Sequence, residues 1–365
     1  MKVLQSFQAH TLPEHIRSMS EQEMKRRVWS IKRKLGKRLY MPGHYYQKDE
    51  VIQFADATGD SLQLAKAAAS NKEAEYIVFC GVHFMAETAD ILSAEHQTVL
   101  LPDLRAGCSM ADMATIQQVE RAWPKLQAKL GDNILPVTYV NSTAAIKAFC
   151  GEHNGSTVTS SNAAQMLEWA FTKKQCVLFL PDQHLGRNTA YDLGISLSQM
   201  AVWNPLSDTL EYEGEAHNIR MILWKGHCSV HEKFTLENIK QVKANHPDVN
   251  VIVHPECSFD VVQSADEAGS TNKIIDVIRQ APAGTKWAVG TEMNLVNRIA
   301  QQEAEKNVFS LNPNMCSCLT MNRIDLPHLL WSLESIIEED PHHIITVDTE
   351  TKQLAMAALE RMLSR

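Results

Sequence analysis

The 365 residues, 44% hydrophobic and 21% charged, exceed one small domain and can bury the cores of two or three. A formal charge of −8 argues against a general nucleic-acid binder, which carries a basic excess. No run approaches the roughly 18–20 apolar residues of a membrane span, and Met1-Lys2-Val3-Leu4-Gln5 opens no signal-peptide apolar region. The expectation is a cytoplasmic protein with neither membrane nor nucleic acid as partner. In that compartment eight cysteines favour metal or cluster ligation over a disulfide framework. Cys80 and Cys176, inside apolar runs, and Cys150, at the end of a helix over 143–149, read as buried core instead.

In chain order, a polar arm leads into a helix over Glu21–Leu35, whose basic cluster reads as a solvated face. Strands are expected at 77–80, 98–101, 135–140, 177–180, Met221–Trp224, Val249–Val253 and 287–289, with helices between them. Such alternation marks an α/β fold with parallel sheets.

An internal repeat organises these elements. Three segments open with a strand ending in polar residues: Tyr40-Met41-Pro42-Gly43-His44-Tyr45-Tyr46, Val137-Thr138-Tyr139-Val140-Asn141 and Val251-Ile252-Val253-His254-Pro255-Glu256. A helix then opens on Gly59-Asp60-Ser61, Thr159-Ser160-Ser161 and Gly269-Ser270-Thr271. Each segment later reaches a cysteine, Cys108, Cys228 or Cys318, with a helix cap seven residues on at Thr115, Thr235 and Asp325. His44 to Ser61 and His254 to Thr271 both span 17 residues, and Ser61 to Cys108 and Thr271 to Cys318 both span 47. Ser160 to Cys228 spans 68, and the extra 21 residues are assigned to a linker-like stretch, 191–217. The reading is three similar three-layer αβα domains with parallel sheets around a pseudo-threefold axis. Their bounds are 38–118, 119–234 and 235–325, after a helical extension, 1–37, and before a C-terminal helical segment, 326–365, packing back on the core.

Equivalent positions meet at such an axis, so three thiolates converge. They suit a soft metal or an iron–sulfur cluster. Structural zinc usually draws on a Cys-x-x-Cys knuckle, and only Cys316-Ser317-Cys318 comes near one. Three cysteines on a four-iron cluster leave one iron open as a Lewis acid. The equal 47-residue spacing selects Cys318 over Cys316, with Cys257 a further spare thiol. Helix starts at Ser61, Ser160 and Thr271 offer N–H groups and partial positive charge to carboxylates or phosphate. His44, Tyr46, His254 and Glu256 can hold or shift protons, and Tyr139 and Asn141 can hydrogen-bond a substrate. His231 is a weaker candidate near the cluster, while His83, His184, His342 and His343 are expected to be structural.

At these residues the sequence resembles the quinolinate synthase family, in the long form of bacilli and their relatives. The resemblance runs from about His44 to the C-terminal helix. It is carried by His44-Tyr45-Tyr46, Gly59-Asp60-Ser61-Leu62, Phe84-Met85-Ala86-Glu87-Thr88-Ala89, Tyr139-Val140-Asn141, Leu180-Pro181-Asp182, Gly226-His227-Cys228, His254-Pro255-Glu256, Gly269-Ser270-Thr271 and Cys318-Leu319-Thr320-Met321. Many members read Cys-Pro-x-Met where this chain has Leu319. The resemblance implies a central 4Fe–4S cluster on Cys108, Cys228 and Cys318. It implies condensation of iminosuccinate with dihydroxyacetone phosphate to quinolinate, phosphate and two waters, in the route to NAD. Substrate-binding positions carried over are His44, Ser61, Tyr139, Asn141, Ser160 or its neighbour Ser161, His254, Glu256 and Thr271. On both readings Tyr46 and Glu256 move protons and His254 positions the intermediate. The reaction leaves room for a transient contact with L-aspartate oxidase, which supplies iminosuccinate. Rival readings are a radical enzyme like those of diphthamide synthesis, an iron–sulfur redox sensor and a zinc hydrolase.

Overall fold

The computed structural model describes residues 12–365; the start of the polar arm, residues 1–11, lies outside the described residues. The chain divides into two compact units. One runs up to Gly107 and takes in Leu319–Val347; the other comprises Cys108–Cys318 and Asp348–Arg365.

In the first unit the helix Glu21–Leu35 forms with the bounds expected from its pattern. Ser20 caps it by accepting from the Glu23 amide, and Met24, Val28, Ile31 and Leu35 bury one face. That face packs against the helix Leu326–Ile337. There the nearly buried Glu334 carboxylate meets His15 Nε2 at 2.8 Å and Arg27 Nε at 2.5 Å. Strands Leu39–Tyr40, Tyr76–Val78 and Thr98–Leu100 run parallel, and Ile344–Ile345 closes the sheet antiparallel. Pro42–His44 pairs with Ala57–Gly59 in parallel, and Gly43 bridges to Cys80.

The second unit holds two sheets. The larger runs in the order Thr209–Glu211, Met200–Asn204, Met221–Trp224, Cys176–Leu180, Ile134–Tyr139, Ser156–Val158. All its neighbours are parallel except the first pair. The smaller sheet is wholly parallel, in the order Glu267–Ala268, Val249–Val253, Lys286–Gly290, Asn307–Ser310. The 191–217 stretch is therefore not a linker. Met200–Asn204 opens with four apolar residues and buries Met200, Ala201 and Trp203, so it extends the sheet and carries a hairpin strand at its edge. The helix Thr349–Leu363 lies on Ala144–Glu152 so closely that a Cβ at Gly151 would sit 1.8 Å from the Leu354 carbonyl oxygen; only glycine fits there. Cys80, Cys150 and Cys176 are buried, and Cys150 lies inside the helix Ala144–Glu152 instead of ending it.

The chain is thus a mixed α/β protein with several parallel sheets. Thr115, Thr235 and Asp325 each cap a helix through the side chain, accepting from the amide three residues on. Among the described residues no helix is long and apolar enough to cross a membrane.

Candidate metal and acid–base centre

Two strand ends of the second unit build the centre. Beyond Met221–Trp224 the chain turns at Gly226, where a Cβ would lie 2.4 Å from the Pro181 carbonyl oxygen, so glycine alone allows the close passage to Cys228. The Trp224 indole N–H donates to the Met113 carbonyl at 2.7 Å and steadies the turn. Beyond Val249–Val253, the His254 amide donates to the Gly290 carbonyl at 3.0 Å. The Asn188 amide nitrogen then donates to the carbonyls of Pro255 and Cys257, each at 2.9 Å, and holds the His254-Pro255-Glu256 turn.

These turns place Glu256 in a buried polar clasp. Its Oε2 lies 2.7 Å from His231 Nδ1 and its Oε1 lies 3.9 Å from His254 Nδ1. The Tyr139 side chain hydrogen-bonds the same carboxylate. The His231 and His254 rings stack with centroids 4.6 Å apart, and His231 Nε2 reaches Thr291 Oγ1 at 3.1 Å. Burial by itself pushes the Glu256 carboxyl up, but the fields of His254 and His231 and the hydrogen bonds from His231 and Tyr139 outweigh it. The group ends well below the usual carboxylate range and is ionised at neutral pH. Cys228, His231 and Glu256 offer donor atoms all within 4.8 Å of one another.

The thiols gather beside this clasp. Cys108 precedes the short helix Ser109–Asp112 and receives the amides of Ala111 and Met110, while burial raises it to about 12. Cys228 receives the amides of His231 and Val230 and is pushed up by burial and by the Glu256 charge. Cys108 and Cys318 sense each other electrostatically, as do Cys228 and Cys108. Ser109 Oγ and Ser229 Oγ, one residue beyond their cysteines, are 3.4 Å apart. Cys228 and Cys318 both pack on the apolar cluster of Val253, Leu311 and Met315. Two of these thiols receive backbone N–H groups, and the sulfur of Cys228 with His231 and Glu256 has the donor chemistry of a metal site. Cys316 is exposed, and Cys257 is buried with its sulfur 3.8 Å from the Gly290 carbonyl.

Of the residues singled out in the sequence, Tyr139, His254 and Glu256 come together with Cys228. Asn141 is close in chain to Tyr139, and its buried Oδ1 accepts no hydrogen bond among the described residues. Thr271 opens the helix Thr271–Gln280 behind the Ser270 cap. Ser160 does not open a helix: the next one, Ala163–Phe171, starts after Asn162, whose side chain accepts from Thr159 instead. In the first unit His44 is buried with Tyr46 edge-on at 4.7 Å, and Ser61 opens a helix behind an Asp60–Gln63 capping box. His184 is buried, with Nε2 at 2.8 Å from Glu232.

Sequence reasoning underrated His231, which stands at the centre of the clasp; its signal was its place three residues after Cys228. It also passed over two buried helix-capping carboxylates. Asp182 is pushed well up by burial and by the Glu256 charge, and burial raises Glu292 to about 7. Each lies two residues beyond the end of a strand, at the start of a helix, a position that could have flagged them.

A mixed α/β scaffold, neighbouring thiols and a histidine-clasped carboxylate define a candidate metal-dependent enzyme with its own acid–base group. The profile of the family described as NadA, quinolinate synthetase A protein, matches residues 26–364, and the chain belongs to that family of enzymes. It is 67% identical over 366 residues to the quinolinate synthase of Anoxybacillus flavithermus, covering 100% of both chains. It is 64% identical over 354 residues to the quinolinate synthases of Bacillus cereus strain AH187 and of Bacillus anthracis, covering 97% of this chain and 96% of each relative.

Proposed function

We propose that the chain condenses iminosuccinate with dihydroxyacetone phosphate to quinolinate, phosphate and two waters, with a 4Fe–4S cluster on Cys108, Cys228 and Cys318. The observation that carries the reading is the ionised Glu256 clasped by His231, His254 and Tyr139 beside Cys228. A bound cluster with one open iron would supply a Lewis acid for the dehydration.

The chain's own residues do the proton work. Glu256, held ionised, is a base, and a proton it takes can pass to His231 at 2.7 Å. His254 and Tyr139 hold that carboxylate in place and, with Asn141, orient the substrate. Tyr46 is the second proton-transfer group, and His44 and Ser61 are substrate contacts carried from the family resemblance. The N–H groups at the start of Thr271–Gln280 bind a carboxylate or phosphate. Ser160 keeps its place as a substrate contact through its hydroxyl, not through a helix end.

The three-domain organisation with pseudo-threefold symmetry, bounded as above, belongs to the same reading, as does action in the cytoplasm with iminosuccinate received in transient contact with L-aspartate oxidase. The test is Glu256→Gln, purified without oxygen. It should retain the iron and visible absorbance of the native protein and lose quinolinate formation by about 100-fold or more. Normal turnover in that variant would overturn the acid–base assignment.

A further inference from the structure

Three strand-to-helix junctions precede the three cysteines, and the third ties down the segment that carries its cysteine in a different way from the other two. In the first, the His83 amide donates to the Ala106 carbonyl at 2.8 Å, two residues before Cys108. In the second, the Gln183 amide donates to the Gly226 carbonyl at 2.9 Å, two residues before Cys228, and Asp182 bridges to Gly226. Both ties are main-chain bonds. In the third, among the described residues, the Met293 amide makes no matching bond to the segment before Cys318.

That junction carries Glu292 instead. Its Oε2 accepts from the amides of Asn294 at 2.7 Å and Leu295 at 3.2 Å, and so caps the helix Met293–Gln302. Asp182 caps its own helix in the same way, with Oδ1 accepting from His184 at 2.7 Å and Leu185 at 3.2 Å. The extra methylene of Glu292 carries its second oxygen further, where Oε1 accepts from the Cys318 amide at 3.1 Å. A second side-chain bond, Ser317 Oγ to Asn294 Oδ1 at 3.1 Å, runs beside it. The Glu292 side chain is fully buried, and a carboxylate is seldom buried unless its oxygens are used.

We infer that Glu292 is a positioning residue for the third cysteine, fixing Cys318 by a carboxylate where main-chain bonds fix the other two. The inference deepens the cluster reading and rests on Cys318 being a ligand. A residue that only capped the helix would be replaceable by aspartate, which Asp182 shows is long enough for the cap. Glu292→Asp therefore separates the two roles: it keeps the cap and loses the bond to Cys318.

The experiment compares native protein, Glu292→Asp and Glu292→Ala, each metal-free and each anaerobically loaded. In the metal-free proteins, iodoacetamide labelling is followed at each cysteine by mass spectrometry, alongside the melting temperature. In the loaded proteins, iron release to a chelator is timed. The expected result for Glu292→Asp is a melting temperature near native, labelling of Cys318 faster by roughly fivefold with Cys108 and Cys228 unchanged, and faster iron release. Native rates at Cys318 in Glu292→Asp, with only the melting temperature of Glu292→Ala lowered, would reduce Glu292 to a helix cap and overturn the inference. Equal acceleration at all three cysteines would also overturn it. Should Glu292→Asp fail to fold, Glu292→Gln, which keeps the length but cannot accept through both oxygens, gives the same readouts. Labelling of metal-free protein is independent of cluster assembly, so a failure of the cluster reading shows separately, as native protein without iron.

Discussion

The turn at Cys228 and the loop at Cys318 reach the same centre by different means. Cys228 follows its strand after a short turn; Gly226 pairs with Asp182, the Glu232 amide closes on the Cys228 carbonyl at 3.0 Å, and the thiol meets the His231 and Val230 amides. Cys318 ends an irregular loop after Asn307–Ser310, held at Asn312 by the Lys233 carbonyl at 3.0 Å and at its end by Glu292 and Asn294. Main-chain ties survive most substitutions. Side-chain ties can be deleted one at a time, so the Cys318 loop is where a single substitution can loosen the centre without dismantling a strand end.

The sharpest way to break the comparison is to remove the sulfurs themselves. If the proposed cluster ligation holds, Cys228→Ser and Cys318→Ser should each lose most of the iron and cut quinolinate formation by about 100-fold or more, because each would remove a ligand outright. Cys316→Ser, at an exposed thiol, should retain both. If Cys316→Ser lost the iron and Cys318→Ser kept it, the ligand would be misassigned. A side-chain tie can next be cut on the other strand end. Asn188→Ala strands the Pro255 and Cys257 carbonyls and should lower stability in urea by about 2 kcal/mol, with a loss of activity exceeding the loss of folded protein. Thr235→Ala removes the cap of the helix beyond Cys228 and should cost about 1 kcal/mol, with iron content unchanged.

The smallest effect lies in the first unit. Burial raises Asp103, but hydrogen bonds and charge from Arg105 and His328 bring it below its ordinary value; Asp325 is likewise lowered by His328 against its burial. A depressed folded value means the stabilisation is fully present above the ordinary aspartate range and is lost as pH falls through the lowered values. Asp103→Asn and Asp325→Asn should each flatten the acid limb of a melting-temperature profile below about pH 4 and leave the neutral region's slope unchanged. An unaltered acid limb would show that these pairs do not stabilise the fold.

Much of this architecture was legible in the sequence where one residue type does one job. The Glu21–Leu35 helix was visible in its apolar spacing, and the caps at Thr115, Thr235 and Asp325 in their common offset from a cysteine. Ser160 misled because a run of small hydroxyl residues resembles a helix start, whereas the Asn162 side chain takes the Thr159 amide and delays it. The strand Met200–Asn204 was hidden because a Gly-, Ser- and Glu-rich surrounding stretch reads as a linker, and only packing on Met221–Trp224 shows its buried side. His231 and Glu292 were obscure for another reason: their roles depend on partners in other segments, Glu256 and Cys318, and no local pattern encodes such a pairing.

The central claim is tested most directly by purifying the native chain without oxygen, measuring iron and sulfide, and assaying it with iminosuccinate and dihydroxyacetone phosphate. The account predicts about four irons and four sulfides per chain together with quinolinate as product. Zinc in place of iron under strict anaerobiosis, or a fully loaded cluster that makes no quinolinate, would contradict it.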